Sequence, residues 1–356
     1  MESVILPFSP IHLRPDPYAY YAELRLHAPV HFFESGFWTI SKHKDVETAL
    51  QRPDLFSSRR PNWASTPVSE DPPLHTKLRK SALKILSLQK IPASLEQRIR
   101  EINDEILQAI PFQQEFDLMS TVADWLPFNV ISEIMAIPKD IRVECFHWMR
   151  TLTHSPVLEN QLAGLALWDT EELELSSEER VRFVRFLLSA ASITTRNLIG
   201  NAILALLKNP DQMRLIRDDR ARIASAVEEA LRYEAPTQMA DRRTTKNVEI
   251  SGITIPAGST VFLLLGSANR DPEVFEDPDA FLITRDTSRH LAFGEGPHYC
   301  LGAHLAKLEA QIALETFIFR LEGLRPAQSL ESLNYLDTIL LRGLKSFNLI
   351  FDSAAR

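Results

Sequence analysis

The sequence predicts a mainly α fold with a small β part, organised as one domain over residues 1–356 around a single long helix. Three observations predict it. Residues 181–208, "VRFVRFLLSAASITTRNLIGNAILALLK", read as one long, mostly apolar helix, the kind buried through the middle of a domain. Helical periodicity recurs along most of the remaining chain, while strand-like runs are confined to 30–42, 242–272 and the tail 321–351. Glycine is scarce, at 11 residues, which suits helices better than turn-rich sheet.

Taken in order, residues 17–29, "PYAYYAELRLHAP", predict a first helix, and "VHFFESGFWTISK" a hairpin around Glu34-Ser35-Gly36. "HKDVETALQRP" is a short helix stopped at Pro53. Residues 57–73 are polar and Pro-rich and predict a loop. Helical patterns follow at 74–87, 92–110, 117–135 and 138–154. The stretch 155–180 is acidic and weakly patterned. After the long helix, Pro210 punctuates the chain, and helices are predicted at 211–218 and 221–236. Residues 242–272 read as strands, with a tight hairpin at Ser251-Gly252. A last helix is predicted from just after Cys300 to Phe319.

Composition narrows the function classes. A net charge of −8 and a pI near 5.7 argue against general nucleic-acid binding, which needs a basic face. Two cysteines, Cys145 and Cys300, make no disulfide framework, so a reducing, cytoplasmic compartment is expected. The first residues lack the charged start and apolar run of a signal peptide. No run approaches the ~18 consecutive apolar residues a membrane helix needs, so no membrane partner is expected.

The stretch "HLAFGEGPHYCLGAHLAKLEA" concentrates the chemistry. Cys300 sits among Gly294, Gly296 and Gly302 and among His290, His298 and His304, directly before a helix. Cys300 as a structural core thiol is one reading. Zinc held by Cys300 with the three histidines is a second, although their spacing matches no zinc finger. A Cys300–His298 nucleophile is a third, although residues i and i+2 of a turn rarely present side chains to each other. A single thiolate on a haem iron is the fourth, and it explains more. Glycines let backbone approach a large flat ring, the following helix aims free N–H groups at the sulfur, and Phe293 can shield it from water.

"FGEGPHYCLG" resembles the haem-binding signature of the cytochrome P450 family, Phe-Gly-x-Gly-x-His/Arg-x-Cys-x-Gly, with Phe293, Gly294, Gly296, His298, Cys300 and Gly302 on it. The resemblance extends over nearly the whole chain and implies the cytochrome P450 fold, haem b as cofactor and Cys300 as the iron ligand. It implies that Glu229 and Arg232 of "EALR" form a buried brace of the haem-binding core. A third arm usually comes from a Pro-x-Arg-Phe stretch; here "PDAF" carries Ala280, and Arg285 is the substitute at hand. His75 and Arg79 of "HTKLR", Arg242 and His298 are the implied partners of the two haem propionates. Thr194 falls on the threonine whose hydroxyl handles dioxygen and its protons, and Ala190 and Ala191 leave it room. A threonine bonded back to the Ala190 carbonyl is the alternative reading. Arg196, two residues on, is expected to face away from the iron. Thr237, Gln238 and Met239 are candidate substrate-pocket residues, and Asp241 is expected to cap Arg242 or Arg243.

The implied activity is monooxygenation: hydroxylation or oxidative coupling of a small-molecule, peptide or carrier-bound substrate in secondary metabolism. No flavin or nicotinamide fingerprint is present, so electrons are expected from a ferredoxin-type partner with its reductase. That partner would dock on the Cys300 side, with Arg79, Lys80 and Lys84 contributing positive charge. Two departures qualify the resemblance. Ile193 stands where the family carries an acid, and isoleucine carries no proton. A peroxide-using haem-thiolate enzyme, or an isomerase or dehydratase, is therefore the alternative. The loop 57–73 and the stretch 155–180 are short for the segments that roof the pocket, which predicts a shortened lid with Trp63, Leu165 and Trp168 as lid residues.

Overall fold

The computed structural model describes residues 16–60, 65–86, 95–108, 110, 114–151, 155–165 and 176–354. Trp63 and Trp168 lie outside them. In chain order the elements begin with helix α1 (Tyr18–His27), the antiparallel pair β1 (Val30–Phe33) and β2 (Phe37–Ile40), α2 (His43–Gln51) and β3 (Phe56–Ser57). Then come α3 (Leu74–Leu86), α4 (Leu95–Gln108), β4 (Phe116–Asp117), α5 (Trp125–Ile134), α6 (Arg142–Thr151) and α7 (Pro156–Ala163). The long helix is α8 (Ser177–Lys208), followed by α9 (Pro210–Asp218) and α10 (Ile223–Tyr233). Strands β5 (Ala240–Thr244), β6 (Val248–Ile250), β7 (Ile253–Ile255) and β8 (Thr260–Leu263) precede a one-turn helix, α11 (Leu265–Ala268). Helix α12 (Ala303–Phe319) and short strands β9 (Leu321–Glu322), β10 (Arg325–Pro326), β11 (Asn348–Ile350) and β12 (Ser353–Ala354) end the chain.

Local chemistry accounts for most boundaries. Ser176 and Glu179 cap α8 reciprocally: the Glu179 amide donates to Ser176 Oγ (3.3 Å) and the Ser176 amide to Glu179 Oε2 (2.8 Å). Proline opens α7 and α9 at the first turn, where no amide is needed. Ser251 (φ 48°) and Gly252 (φ 78°) make the left-handed two-residue turn between β6 and β7. Three expectations are revised. Residues 117–135 are not one helix: a π-helical turn, Met119–Ala123, precedes α5. Residues 264–272 are not strand. Past β8 the chain turns into α11; there the Gly266 amide donates to the Gln238 carbonyl (3.0 Å), and the end of the Gln238 side chain packs on Gly266 where a Cβ would stand. One helix, α8, is long and apolar enough to cross a membrane by length and composition; 72% of its most apolar window is buried inside the protein.

The residues gather in two compact units. The first comprises residues 1–61, 200–300 and 328–347. Its sheet has the order β1-β2-β8-β5-β3, with β2 and β8 parallel and the other pairs antiparallel. Val46, Ala49 and Leu50 of α2 sit one helical turn apart and pack with Ile40, Val261 and Leu263. Helix α10 buries Ile223, Ala226, Val227, Ala230 and Leu231, the i, i+3, i+4 stripe its sequence carries.

The second unit comprises residues 62–199, 301–327 and 348–356. Its core joins α5, α6 and the first half of α8: Phe128, Ile131, Phe146, Trp148, Phe183, Leu187 and Leu188 are buried together. Trp125 stacks on Phe146 at 4.5 Å, and Phe128 meets the same ring edge-on at 5.2 Å. Leu165, expected as a lid residue, is 8% exposed and belongs to this core. Arg98 of α4 grips Glu133 of α5 with two hydrogen bonds (2.8 and 2.7 Å).

Candidate active site

The cysteine loop lies in the first unit. After Leu291 the backbone turns through Gly294 (φ 72°) and Gly296 (φ 69°), conformations that favour glycine. At Gly296 a Cβ would stand 2.8 Å from the Leu50 carbonyl oxygen, so the absence of a side chain lets the loop lie against the end of α2. The Cys300 amide donates to the Phe293 carbonyl (2.9 Å) and closes the turn. Cys300 is half-buried, Phe293 and His298 beside it are half-buried, and Tyr299 is exposed. Gly302 has no atom within 4 Å of where a Cβ would be. Cys145 differs: it is fully buried on α6, and burial pushes its thiol up to about 12. Among the described residues no three His, Cys, Asp or Glu side chains gather to hold a metal ion, which leaves the zinc reading of Cys300 without a ligand set.

The Glu229–Arg232 brace is present and wholly buried. Arg232 donates from Nε to Glu229 Oε2 (2.7 Å) and from Nη2 to Glu229 Oε1 (2.8 Å). It also donates to the carbonyls of Asn269 (3.1 Å), Pro278 (2.7 Å) and Ala280 (2.9 Å). The third arm is Arg285, whose Nε stands 3.5 Å from Glu229 Oε1 while its Nη atoms donate to the Glu276 and Asp277 carbonyls. Ala280 contributes its backbone where the family pattern has an arginine side chain.

Arg242 lies on β5, paired with Val261 of β8, and donates to the Asp241 carbonyl (2.8 Å). The Asp241 carboxylate caps neither Arg242 nor Arg243. It takes Arg60, which reaches it with Nε (2.8 Å) and Nη2. Arg60 lies 181 residues away in sequence, so no local pattern signals it. Of the three pocket candidates, Gln238 and Met239 are buried. Gln238 donates to the Ala235 carbonyl (2.8 Å), and Met239 packs with Tyr18, Tyr21, Leu24 and Leu264. Thr237 is half-buried and bridges to Leu341.

In the second unit His75 and Arg79 share one face of α3; His75 is 3% exposed and Arg79 half-buried. Burial, and after it the Arg79 charge, hold the His75 imidazole below its usual pKa. On α8, Ala190 is exposed and Ala191, Ile193 and Thr194 are half-buried, while Leu187, Leu188, Ser192, Thr195 and Arg196 are buried. Positions 190, 193 and 194 thus form an open strip on a helix otherwise packed into the protein. The Thr194 hydroxyl donates to the Ala190 carbonyl (3.0 Å). Arg196 points into the protein: its Nε donates to Asp124 Oδ1 (2.8 Å), and Asp124 Oδ2 accepts from Arg150 (3.0 Å).

The cytochrome P450 family pattern matches residues 158–345. The chain belongs to the cytochrome P450 family. It is 36% identical to cytochrome P450 107B1 of Saccharopolyspora erythraea, over 86% of this chain and 87% of that one. It is 35% identical to the vitamin D(3) 25-hydroxylase of Pseudonocardia autotrophica, over 92% of each. The structure of cytochrome P450 CYP109Q5 from Chondromyces apiculatus matches it with a TM-score of 0.86 at 32% identity, covering 96% of this chain and 97% of that one. The protein is a bacterial-type cytochrome P450 monooxygenase, and the family's cofactor is a cysteine-ligated haem. The Cys300 loop fits that cofactor on its own geometry: a half-buried thiol, presented by a turn that passes through two left-handed glycines and closes on the Phe293 carbonyl.

Proposed function

We propose that this P450 oxidises a small organic molecule of secondary metabolism in the cytoplasm, using dioxygen and electrons from a ferredoxin-type partner. The turn ending in Cys300 carries the reading: Cys300 is the thiol whose loop is shaped for close approach, whereas Cys145 is sealed in the core. Bound haem supplies oxygen activation, which thiolate donation favours. Arg242 and His298 in the first unit, and His75 and Arg79 in the second, are the residues that would donate hydrogen bonds to its propionates, the two arginines with a full charge. Phe293 limits water at the Cys300 sulfur. Ala190 and Ala191 keep side-chain bulk off the open strip of α8. Thr194 orients the proton-carrying group beside it, with its own hydroxyl proton parked on the Ala190 carbonyl until that group arrives. Because Ile193 offers no acid, the protons come through water or a hydroxyl of the substrate.

The second reading, peroxide-driven oxidation, is favoured by the same two observations: an apolar side chain at 193 and a Thr194 hydroxyl already engaged within its helix. One comparison separates them. Purified enzyme, after its reduced carbon monoxide complex has shown the thiolate-type spectrum, is given a substrate panel with NADH, ferredoxin and reductase, or with hydrogen peroxide alone. Product chiefly from the redox chain is the expected result; product chiefly from peroxide overturns the monooxygenase reading in favour of the second.

A further inference from the structure

His290 opens the cysteine stretch, and neither the brace nor the propionate partners account for it. It lies in a segment held at four successive residues. The Arg289 carbonyl accepts from His43 Nε2 (2.8 Å), on a His43 side chain that is fully buried. The His290 ring reaches Glu228 Oε2 of α10 with Nε2 (3.0 Å). The Leu291 amide donates to Asn269 Oδ1 (2.6 Å), and the Ala292 amide donates to His290 Nδ1 (3.2 Å). Phe293, the next residue, accepts the Cys300 amide that closes the turn (2.9 Å). All of these groups lie in the first unit.

The two His290 contacts define its tautomer. Nδ1 accepts an amide proton, so it carries none, and Nε2 holds the proton it donates to the glutamate. A neutral ring used this way is a two-ended strut: one end on the α10 helix that bears the Glu229–Arg232 brace, the other on the backbone one residue before Phe293. Asn269 links the same two elements, accepting from Leu291 while its carbonyl accepts from Arg232 (3.1 Å).

We propose that His290 is a positioning residue of the cysteine loop, transmitting the rigidity of α10 through Glu228 and the Ala292 amide to the Phe293–Cys300 turn. The inference rests on the reading of Cys300 as the haem ligand. His290 touches neither sulfur nor substrate; it acts through the turn that presents the sulfur. Its two ends can be cut separately. An asparagine at 290 can accept the Ala292 amide through Oδ1, the short-range bond this side chain makes in turns, but is too short for Glu228. Leucine loses both ends.

The test uses the full-length haem-loaded enzyme with H290L, H290N, E228A and C300S. The readouts are the rate at which the reduced carbon monoxide complex loses its thiolate-type band at a temperature well below unfolding, the haem midpoint potential, and the far-UV melting temperature. H290L is expected to lose the band about tenfold or more faster than the parent, the scale seen when a partner behind a metal ligand is removed. Its midpoint potential is expected to shift, with H290N intermediate in both. Parent-like decay in H290L overturns the proposal. So does faster decay matched by an equal fall in melting temperature in H290L and H290N alike, which marks a role in global stability only. If H290L does not accumulate, H290N and E228A carry the same criteria. A thiolate-type band persisting in C300S sinks the Cys300 reading itself; its loss in C300S beside an unaffected H290L sinks the strut alone.

Discussion

At the residue scale, a carboxyl group on α12 shows how burial sets a charge state. Glu309 is 2% exposed, and its Oε2 has no hydrogen-bond partner among the described residues. Burial holds its pKa well above the ordinary glutamate range, because a carboxylate there would lose its water without compensation. An acid whose pKa is raised on folding stabilises the protein fully below the unfolded pKa, and that stability is lost as pH rises toward the folded value. Glu309→Gln keeps the shape and removes the titration. Urea midpoints should then match the parent near pH ~4 and exceed it near pH ~8, the two sides of the ordinary glutamate pKa. An equal offset at both pH values would show that packing, not charge, sets the effect. The same scale separates the two cysteines. Composition makes them equivalent; surroundings put Cys145 in a sealed core with a thiol near 12 and Cys300 in a partly open turn.

At the element scale, the brace of α10 shows a buried ion pair with every donor accounted for. Arg232 and Glu229 are both fully buried, and Arg232 satisfies three carbonyls besides the carboxylate. Arg232→Ala leaves the buried Glu229 carboxylate with only the Leu282 amide (2.8 Å) and Arg285 at 3.5 Å, so a loss of about 3–5 kcal/mol is expected by chemical denaturation. Arg285→Ala should cost clearly less, because its contact with Glu229 is 3.5 Å and the two Arg232 bonds remain. Equal losses in the two variants would show that the third arm bears as much as the second. The i, i+3 spacing of "EALR" was enough to pair these residues. The carbonyls that complete the brace come from residues 269–280, and only folding brings them there.

For the whole molecule, charge is unevenly spread. The chain carries −8 overall, yet α3 holds Lys77, Arg79, Lys80 and Lys84 in 13 residues without one acid. Lys80 is exposed. An acidic electron donor, if it docked there, would feel a field that salt screens over ~10 Å at 0.1 M. NADH-driven turnover should therefore fall as ionic strength rises, and Lys80→Glu should raise the partner concentration needed for half-maximal rate. Peroxide-driven turnover of the same variant should be unchanged. A salt-insensitive redox chain would remove α3 as the docking face.

The sequence by itself determined most of the helices, the two tight hairpins and the haem-ligand motif of the Cys300 loop, because these depend on near neighbours. Helical stripes repeat every three to four residues, left-handed turns need glycine, and the family motif is contiguous. Tertiary structure alone decided the rest. Met239 read as a pocket candidate, and its partners Tyr18, Tyr21 and Leu264 come from segments that only folding brings together. Asp241 stands next to two arginines and instead takes Arg60, 181 positions away. A run of strand-like residues ended in α11, where the Gly266 amide bonds to the Gln238 carbonyl of another segment. His290 read as one more ring nitrogen near a thiol, until Glu228, 62 residues upstream, gave its proton a destination. Periodicity is a property of the local chain; burial and the choice of partner depend on which distant segments folding brings together.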